Sequence, residues 1–361
     1  MNTLIPANTH PSFCRGAPRN NRLLTWLKRG VMGLAGALVG LAVLGATYQV
    51  IATARDKQNY PPPGQLIDVG AGALQVQLHL FCQGEGSPTV ILEHGGGGSA
   101  LGWFLVQPEV ARSTRVCAYD RAGLGWSDPG PAPRSGQQIA VELHTLLHNA
   151  DIPGPYVLAG WSYGGLFVRA YAAQYPEEVA GLVLLDATHP DVWVRTPQGQ
   201  AQYQRDSRLY TGIRLLARFG LWRLVPNPFT TPPAGIFAPQ QAAQWQAVGS
   251  TTKFWDTVAA ESRAILDTMA HVRQAGNLGD LPLLVVTAGK NQGADGQWAV
   301  YQDELAMLSS NSIHTVVAGA GHVDLWIDPE YSRMSSAAIL QVVTAVRNGA
   351  RLAPNSLAAG S

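Results

Sequence analysis

Val157-Leu158-Ala159-Gly160-Trp161-Ser162-Tyr163-Gly164-Gly165-Leu166-Phe167 is the stretch on which the reading of this chain turns. An apolar run enters Gly-x-Ser-x-Gly and leaves directly into a second apolar run, the pattern of a strand that turns sharply into a helix. A serine hydroxyl is a weak nucleophile unless it projects from such a corner towards a base. Gly160 and Gly164 leave room where the backbone crowds, so Ser162 can hold the strained dihedrals of the turn. The backbone N–H of Tyr163, at the start of the following helix, would face a developing oxyanion. In a chain with 39 glycines such a motif also arises by chance, so its surroundings decide.

Strands and helices alternate on both sides of it. Upstream, 66–69 and 74–81 form a hairpin about a glycine-rich turn. A buried strand at 89–93 ends in His94-Gly95-Gly96-Gly97-Gly98-Ser99. Another at 115–119 ends in Asp120-Arg121-Ala122-Gly123-Leu124-Gly125, and a helix follows at 135–150. Downstream come a helix at 166–174 and a strand at 179–185 that runs into Asp186-Ala187-Thr188-His189-Pro190. After a break, strands at 283–287 and 312–318 alternate with helices at 298–308 and 333–347. This alternation predicts a mostly parallel sheet covered on both faces. The break, 189–280, is rich in Gln, Pro, Trp and Arg, with helix-like pieces at 210–224 and 239–247. It is too long for a structureless loop and reads as a cap over the carboxyl ends of the strands. The expected core is therefore 65–188 plus 281–348, followed by a frayed tail at 349–361.

Four of these features, taken in order, resemble the α/β-hydrolase fold with a cap. They are the His94-Gly95-Gly96 loop, the Asp120–Gly125 loop, the serine corner, and Gly319-Ala320-Gly321-His322 after the last strand. The resemblance covers about residues 65–348. It implies an eight-stranded, mostly parallel sheet with the cap inserted after the sixth strand. More narrowly, the chain resembles bacterial esterase-like hydrolases grouped with methyl-ester carboxylesterases. What that implies is a serine hydrolase acting on carboxylic esters through an acyl-enzyme, with Ser162 as nucleophile and His322 as base. The backbone N–H groups of Gly96 and Tyr163 would form the oxyanion hole, and no metal or organic cofactor is needed. A serine at this corner argues against the epoxide-hydrolase and dehalogenase branches, which use aspartate there. Amidase, lipase, thioesterase, acyltransferase and a catalytically silent binding domain remain as alternatives.

The acid has two candidate positions. In many members it follows the seventh strand, three residues beyond a glycine, but Gly289-Lys290-Asn291-Gln292 puts an uncharged glutamine there. Glutamine cannot stabilise an imidazolium. Asp186, at the end of the sixth strand, is favoured, with Asp295 as the alternative. Among the other histidines, His94 reads as a structural member of the oxyanion loop and His189 as a residue lining the pocket. His144 and His148 read as a solvated helix face rather than a metal pair. Trp193, Trp222, Trp245 and Trp255 suggest an apolar pocket, although most of them are expected to pack the cap. In the fold that the chain resembles, the second and fourth strands are neighbours. Cys82 and Cys117 would then lie side by side, either bridged or as two buried thiols.

Composition narrows the partners. With 14% charged residues and a net charge near +1 there is no basic field for nucleic acid, and the resemblance implies a small ester-like substrate with an apolar part. The amino terminus differs from the rest: 1–29 carries Arg15, Arg19, Arg22, Lys28 and Arg29 and no acidic residue, and 30–52 is apolar. As a helix, 31–52 would span about 33 Å, enough to cross a bilayer. The length of the basic region and of the apolar run favours an uncleaved anchor over a signal peptide cleaved near Ala52-Thr53-Ala54. The positive-inside rule then puts the amino terminus in the cytoplasm and the catalytic part outside it, periplasmic in a Gram-negative cell. The alternative is a secreted protein. Residues 53–64, closing with Tyr60-Pro61-Pro62-Pro63-Gly64, read as a linker.

Overall fold

The computed structural model describes residues 22–70, 75–232, 235–290 and 296–353. It opens with a 38-residue helix, α1 (Arg22–Asn59), whose apolar length is sufficient to cross a membrane. The helix continues seven residues into the expected linker. Ala52, Ala54, Arg55, Lys57 and Gln58 favour helix, and Arg223 holds the last turns through Thr53 Oγ1 at 3.0 Å and Asp56 at 2.5 Å. The irregular stretch begins only at Tyr60, because Pro61 cannot extend the hydrogen-bond ladder.

The sheet follows. A hairpin of β1 (Gln65–Asp68) and β2 (Gln77–Gln83) leads to β3 (Thr89–Glu93), a short α2 (Val106–Ala111) and β4 (Val116–Tyr119). Then come α3 (Gly136–Asn149), β5 (Tyr156–Trp161), α4 (Gly164–Gln174) and β6 (Val179–Leu185). Four helices form the inserted region: α5 (Pro197–Ala217), α6 (Leu221–Leu224), α7 (Pro239–Gly249) and α8 (Thr252–Gln274). The core resumes with β7 (Leu283–Ala288), α9 (Gln297–Ala306), β8 (Ser312–Val317), α10 (Asp324–Ile327) and α11 (Pro329–Asn348).

The strands order as β1-β2-β4-β3-β5-β6-β7-β8, and only β2 runs antiparallel to its neighbours. β3, β5 and β7 are buried at every residue, as continuous apolar strands must be when helices cover both faces. Alternation sorts the side chains. Val90 and Leu92 face a layer that includes Val106 of α2 and Val342 of α11, whereas Ile91 faces Leu143 of α3 and Val168 of α4. The chain reverses its progress across the sheet between β3 and β5. Their carboxyl ends therefore splay into a crevice, the place where open α/β sheets bind ligands.

Two differences from the expected elements lie in the insertion. The helix expected at 210–224 starts at Pro197, behind a Thr196 side-chain cap, and breaks at Gly220 with φ +72°. The 23-residue α8 had no counterpart in the expected elements. Its signal was present: Thr251 caps it, and Phe254, Val258, Ile265, Met269 and Val272 recur at helical spacing.

Candidate active site

Ser162 sits between β5 and α4 at φ +56°, in the left-handed region that L-residues avoid. The corner is fixed from both sides. Ser162 N–H donates to the Leu185 carbonyl at 3.1 Å, and the Ser162 carbonyl accepts from Thr188 at 2.9 Å. Glycine is required on either side of it. A Cβ at Gly160 would meet the Gly164 carbonyl oxygen at 2.5 Å, and one at Gly164 would meet that of Glu93 at 2.3 Å.

Asp186 ends β6 and is fully buried, also at positive φ, +43°. Its Oδ2 lies 2.6 Å from Nδ1 of His322, which follows β8. Its Oδ1 accepts from the Ala288 N–H at 3.1 Å and from the Trp298 indole at 2.8 Å. The carboxylate is thus held by groups from β7 and α9 that the sequence reading did not single out. The histidine is fixed in turn: its carbonyl accepts from the Trp161 indole at 3.0 Å, and the two rings lie 4.5 Å apart. Its side chain is 32% exposed, on the wall of the cavity that also holds Ser162. Asp295, the alternative acid, lies outside the described residues.

Gly96 and Tyr163 lie on the same cavity, and a Cβ at Gly96 would meet the Tyr163 ring at 3.1 Å. The glycine run after β3 is packed, not slack. His94 is buried with its ring 4.9 Å from both Trp161 and Trp326, and a Cβ at Gly98 would fall 1.6 Å from its Nδ1. Burial pushes the His94 pKa down to about 3, so the ring is neutral. The cavity encloses about 700 Å³, a volume suited to a small molecule. Its walls are mainly apolar, with Trp245, Trp326, Phe229 and Val258 prominent.

This architecture is shared. A family model for the alpha/beta hydrolase fold matches residues 88–329, about two thirds of the chain. The chain belongs to the alpha/beta hydrolase fold family. Among solved structures of this fold it is similar to a thermophilic esterase from Thermogutta terrifontis, with a TM-score of 0.59 and 21% identity over 78% of this chain and 98% of that one. It is also similar to a putative epoxide hydrolase from Pseudomonas aeruginosa, with a TM-score of 0.61 and 19% identity over 80% and 98%. An uncharacterized protein of Schizosaccharomyces pombe is 29% identical over 74% of this chain and 54% of its own length. The chain thus spans about half the length, or less, of the first curated relatives it matches.

Within this alpha/beta hydrolase a buried ionic cluster supports the glycine-rich loop after β3. Arg121, just after β4, uses all five of its donors. Nε and Nη2 reach Glu261 of α8 at 2.8 and 3.0 Å, and Nη1 reaches Glu93 at 2.6 Å. The remaining bonds go to the carbonyls of His94 at 2.7 Å and Gly95 at 2.9 Å. Burial pushes the Glu93 carboxyl up to about 7 against the pull of Arg121. The cluster ties the ends of β3 and β4 to the inserted region directly behind Gly96. Arg121 belonged to a motif read only as a fold marker, and Glu261 lies on a helix that was not expected.

His189 departs from its expected place. It stacks on Tyr301 at 4.8 Å, with its Nε2 3.2 Å from Glu304, and it does not line the cavity that holds Ser162. The turn after Asp186 sends the chain away from the cavity towards α9. The tryptophans divide: Trp245 lines the cavity, the Trp222 and Trp255 rings lie tilted 5.2 Å apart, and Trp193 packs against α4 and α8. His144 stacks on Tyr175 at 4.1 Å and pairs with Glu178 at 2.9 Å. Cys82 and Cys117 stand opposite each other on β2 and β4 and form a disulfide.

Proposed function

We propose that this chain is a membrane-anchored serine hydrolase that cleaves carboxylic esters. The observation that carries the reading is the pairing of His322 with Asp186 at 2.6 Å on the cavity that displays Ser162 from a strained corner. In this mechanism Nε2 of His322 takes the Ser162 proton as the serine oxygen attacks the acyl carbon. Asp186 holds the ring and stabilises the imidazolium. The N–H groups of Gly96 and Tyr163 receive the oxyanion, an interaction worth about 3 kcal/mol per donor. The alcohol leaves with the proton from His322, and water activated by the same nitrogen releases the acyl group.

The mainly apolar walls favour a small ester with an apolar part, and the mechanism takes its acid, base and nucleophile from the chain itself, without a cofactor. α1 is read as the anchor, with 1–29 in the cytoplasm and the catalytic part on the other side of the membrane. The decisive test is labelling with a fluorophosphonate. Wild-type protein should be labelled at Ser162 and Ser162→Ala should not, and a folded wild type that stays unlabelled sinks the proposal. A panel of p-nitrophenyl esters of increasing chain length then identifies the acyl group.

A further inference from the structure

The inserted region is docked on the upper part of α1, and the level of that contact fixes its depth in a bilayer. Gly45 lies against Phe219, where a Cβ would meet the Phe219 carbonyl oxygen at 2.6 Å, and Gly220 lies against Tyr48. Gln49, 3% exposed, donates to the Ser250 carbonyl at 2.9 Å. Arg223 reaches Gln49, Thr53 and Asp56 at 2.8, 3.0 and 2.5 Å. If 31–52 occupies the hydrocarbon, Gly45 lies seven residues inside its edge, about 10 Å at 1.5 Å per residue. Phe219, packed on Gly45, must then lie below that edge too.

The side chains at this corner suit such a depth. Leu215, Leu216, Phe219, Leu224 and Val225 are between 42% and 69% exposed, an apolar surface continuous with the bare apolar flank of α1. Residues 197–225 carry five arginines and one acidic residue, Asp206. Apolar tips flanked by arginines are the composition of an element lying in a lipid interface; here Arg214 and Arg218 also pair with Asp256 at 3.8 and 3.1 Å. Asp56, half-buried, pairs with Arg223 and offsets its charge where the helix emerges.

The geometry points to a corner, formed by the end of α5 and by α6, that is inserted in the membrane leaflet through which α1 emerges. The bilayer would then be the surface from which the hydrolase takes its substrate. The corner is coupled to the cavity. Four residues after Val225 the chain reaches Phe229 in the cavity wall, and Phe229 packs at 5.5 Å on Trp255, whose ring lies tilted 5.2 Å from Trp222 of α6. The substrate class is a membrane-dissolved ester with a long apolar chain.

This inference rests on α1 as a membrane span and on the proposed ester chemistry, and its test separates the three. Full-length protein carrying Cys14→Ser and one of Leu216→Cys, Phe219→Cys, Leu224→Cys or Met307→Cys is labelled with an environment-sensitive fluorophore in phosphatidylcholine–phosphatidylglycerol vesicles. Labels at 216, 219 and 224 should shift to the blue and be quenched by lipid-borne nitroxide. The label at the exposed Met307 should be quenched by aqueous iodide. Iodide quenching of all four overturns the inserted corner, and release of the chain by alkaline carbonate overturns the anchor as well. Because this readout needs no turnover, failure of fluorophosphonate labelling would sink the ester chemistry alone. For the substrate, Leu216→Asp/Leu224→Asp should lower kcat/KM on a vesicle-dissolved long-chain ester by about tenfold and leave a soluble short-chain ester unchanged. Equal loss on both esters overturns the substrate assignment.

Discussion

Two Asp–His pairs lie at the functional end of this molecule, alike in chemistry and opposite in situation. Asp186 and His322 meet at 2.6 Å, and Asp120 and His79 meet at 2.8 Å, in each case through Nδ1 and Oδ2. Each aspartate follows the last residue of a parallel strand and accepts further N–H groups, for Asp120 those of Ala100 at 2.7 Å and Trp126 at 2.9 Å. The difference lies at the other ring nitrogen. Nε2 of His79 is engaged by the Pro63 carbonyl and the side chain is wholly buried, whereas His322 is 32% exposed on a cavity. A ring that donates from both nitrogens must carry a proton on each, so His79 has no free nitrogen on a cavity with which to take a proton. The comparison teaches that a base is defined by what its second nitrogen faces, not by its carboxylate partner.

The sharpest way to break the comparison is to neutralise each carboxylate. Asp186→Asn should lower kcat on an activated ester by about 10⁴-fold, with little change in the unfolding midpoint. A variant that keeps its turnover would remove Asp186 from the triad and return the question to Asp295. Asp120→Asn should do the reverse. It removes the carboxylate that offsets the burial of a charged His79, at a cost of about 3–5 kcal/mol in denaturant unfolding, while kcat per folded molecule stays close to wild type. A loss of turnover without a loss of stability would make the second pair catalytic after all.

The disulfide sharpens the same contrast, because Cys82–Cys117 links the two strands that carry His79 and Asp120. Reduction should cost about 2–4 kcal/mol, the loop-closure contribution for a separation of 35 residues. Thermal melts with and without reductant measure this. If Asp120→Asn and reduction together cost no more than either alone, the pair and the bridge stabilise the same unit.

The smallest effect is on pH. Burial opposes the His79 charge, but the Asp120 carboxylate and the hydrogen bonds to Asp120 and Pro63 outweigh it and raise the pKa above the ordinary 6.5. A raised histidine pKa gives stability that is complete below the unfolded value and is lost as pH rises through the folded one. Asp120 is held below its ordinary 3.8: burial pushes it up, and His79 with the Ala100 and Trp126 N–H groups pulls it further down. Its contribution is present above the unfolded value and lost as pH falls through the folded one. The unfolding midpoint should therefore decline as pH rises above 6.5. Turnover should not follow it, because neither His79 nor Asp120 lines the cavity that holds Ser162. Parallel profiles of melting and activity would contradict that division.

Local pattern carried a large share of this protein. Strands, helices and the strained corner at Ser162 were legible because each depends on a short-range rule: continuous apolar runs for buried strands, helical spacing for their covering helices, and glycines on either side of Ser162. The boundaries of β6 and β7 differ from expectation by one residue at most. Less was legible where partners come from far along the chain. The end of α1 was misplaced because Asp56 is held by Arg223, 167 residues away. His189 was misplaced because packing on Tyr301 and Glu304 turned it from the cavity.

The sequence by itself determined that a sheet of this class would form, that Ser162 would stand at a strained corner, and that an apolar helix would precede it. Only the tertiary structure decided that His79 lies sealed between two acceptors. It alone shows that Arg121 joins Glu93 to Glu261 behind the glycine-rich loop after β3, and that the inserted region rests on α1. The physical reason is range. Periodicity and turn chemistry act over a few residues, whereas burial, charge pairing and access to solvent are set by segments that meet only when the chain has folded.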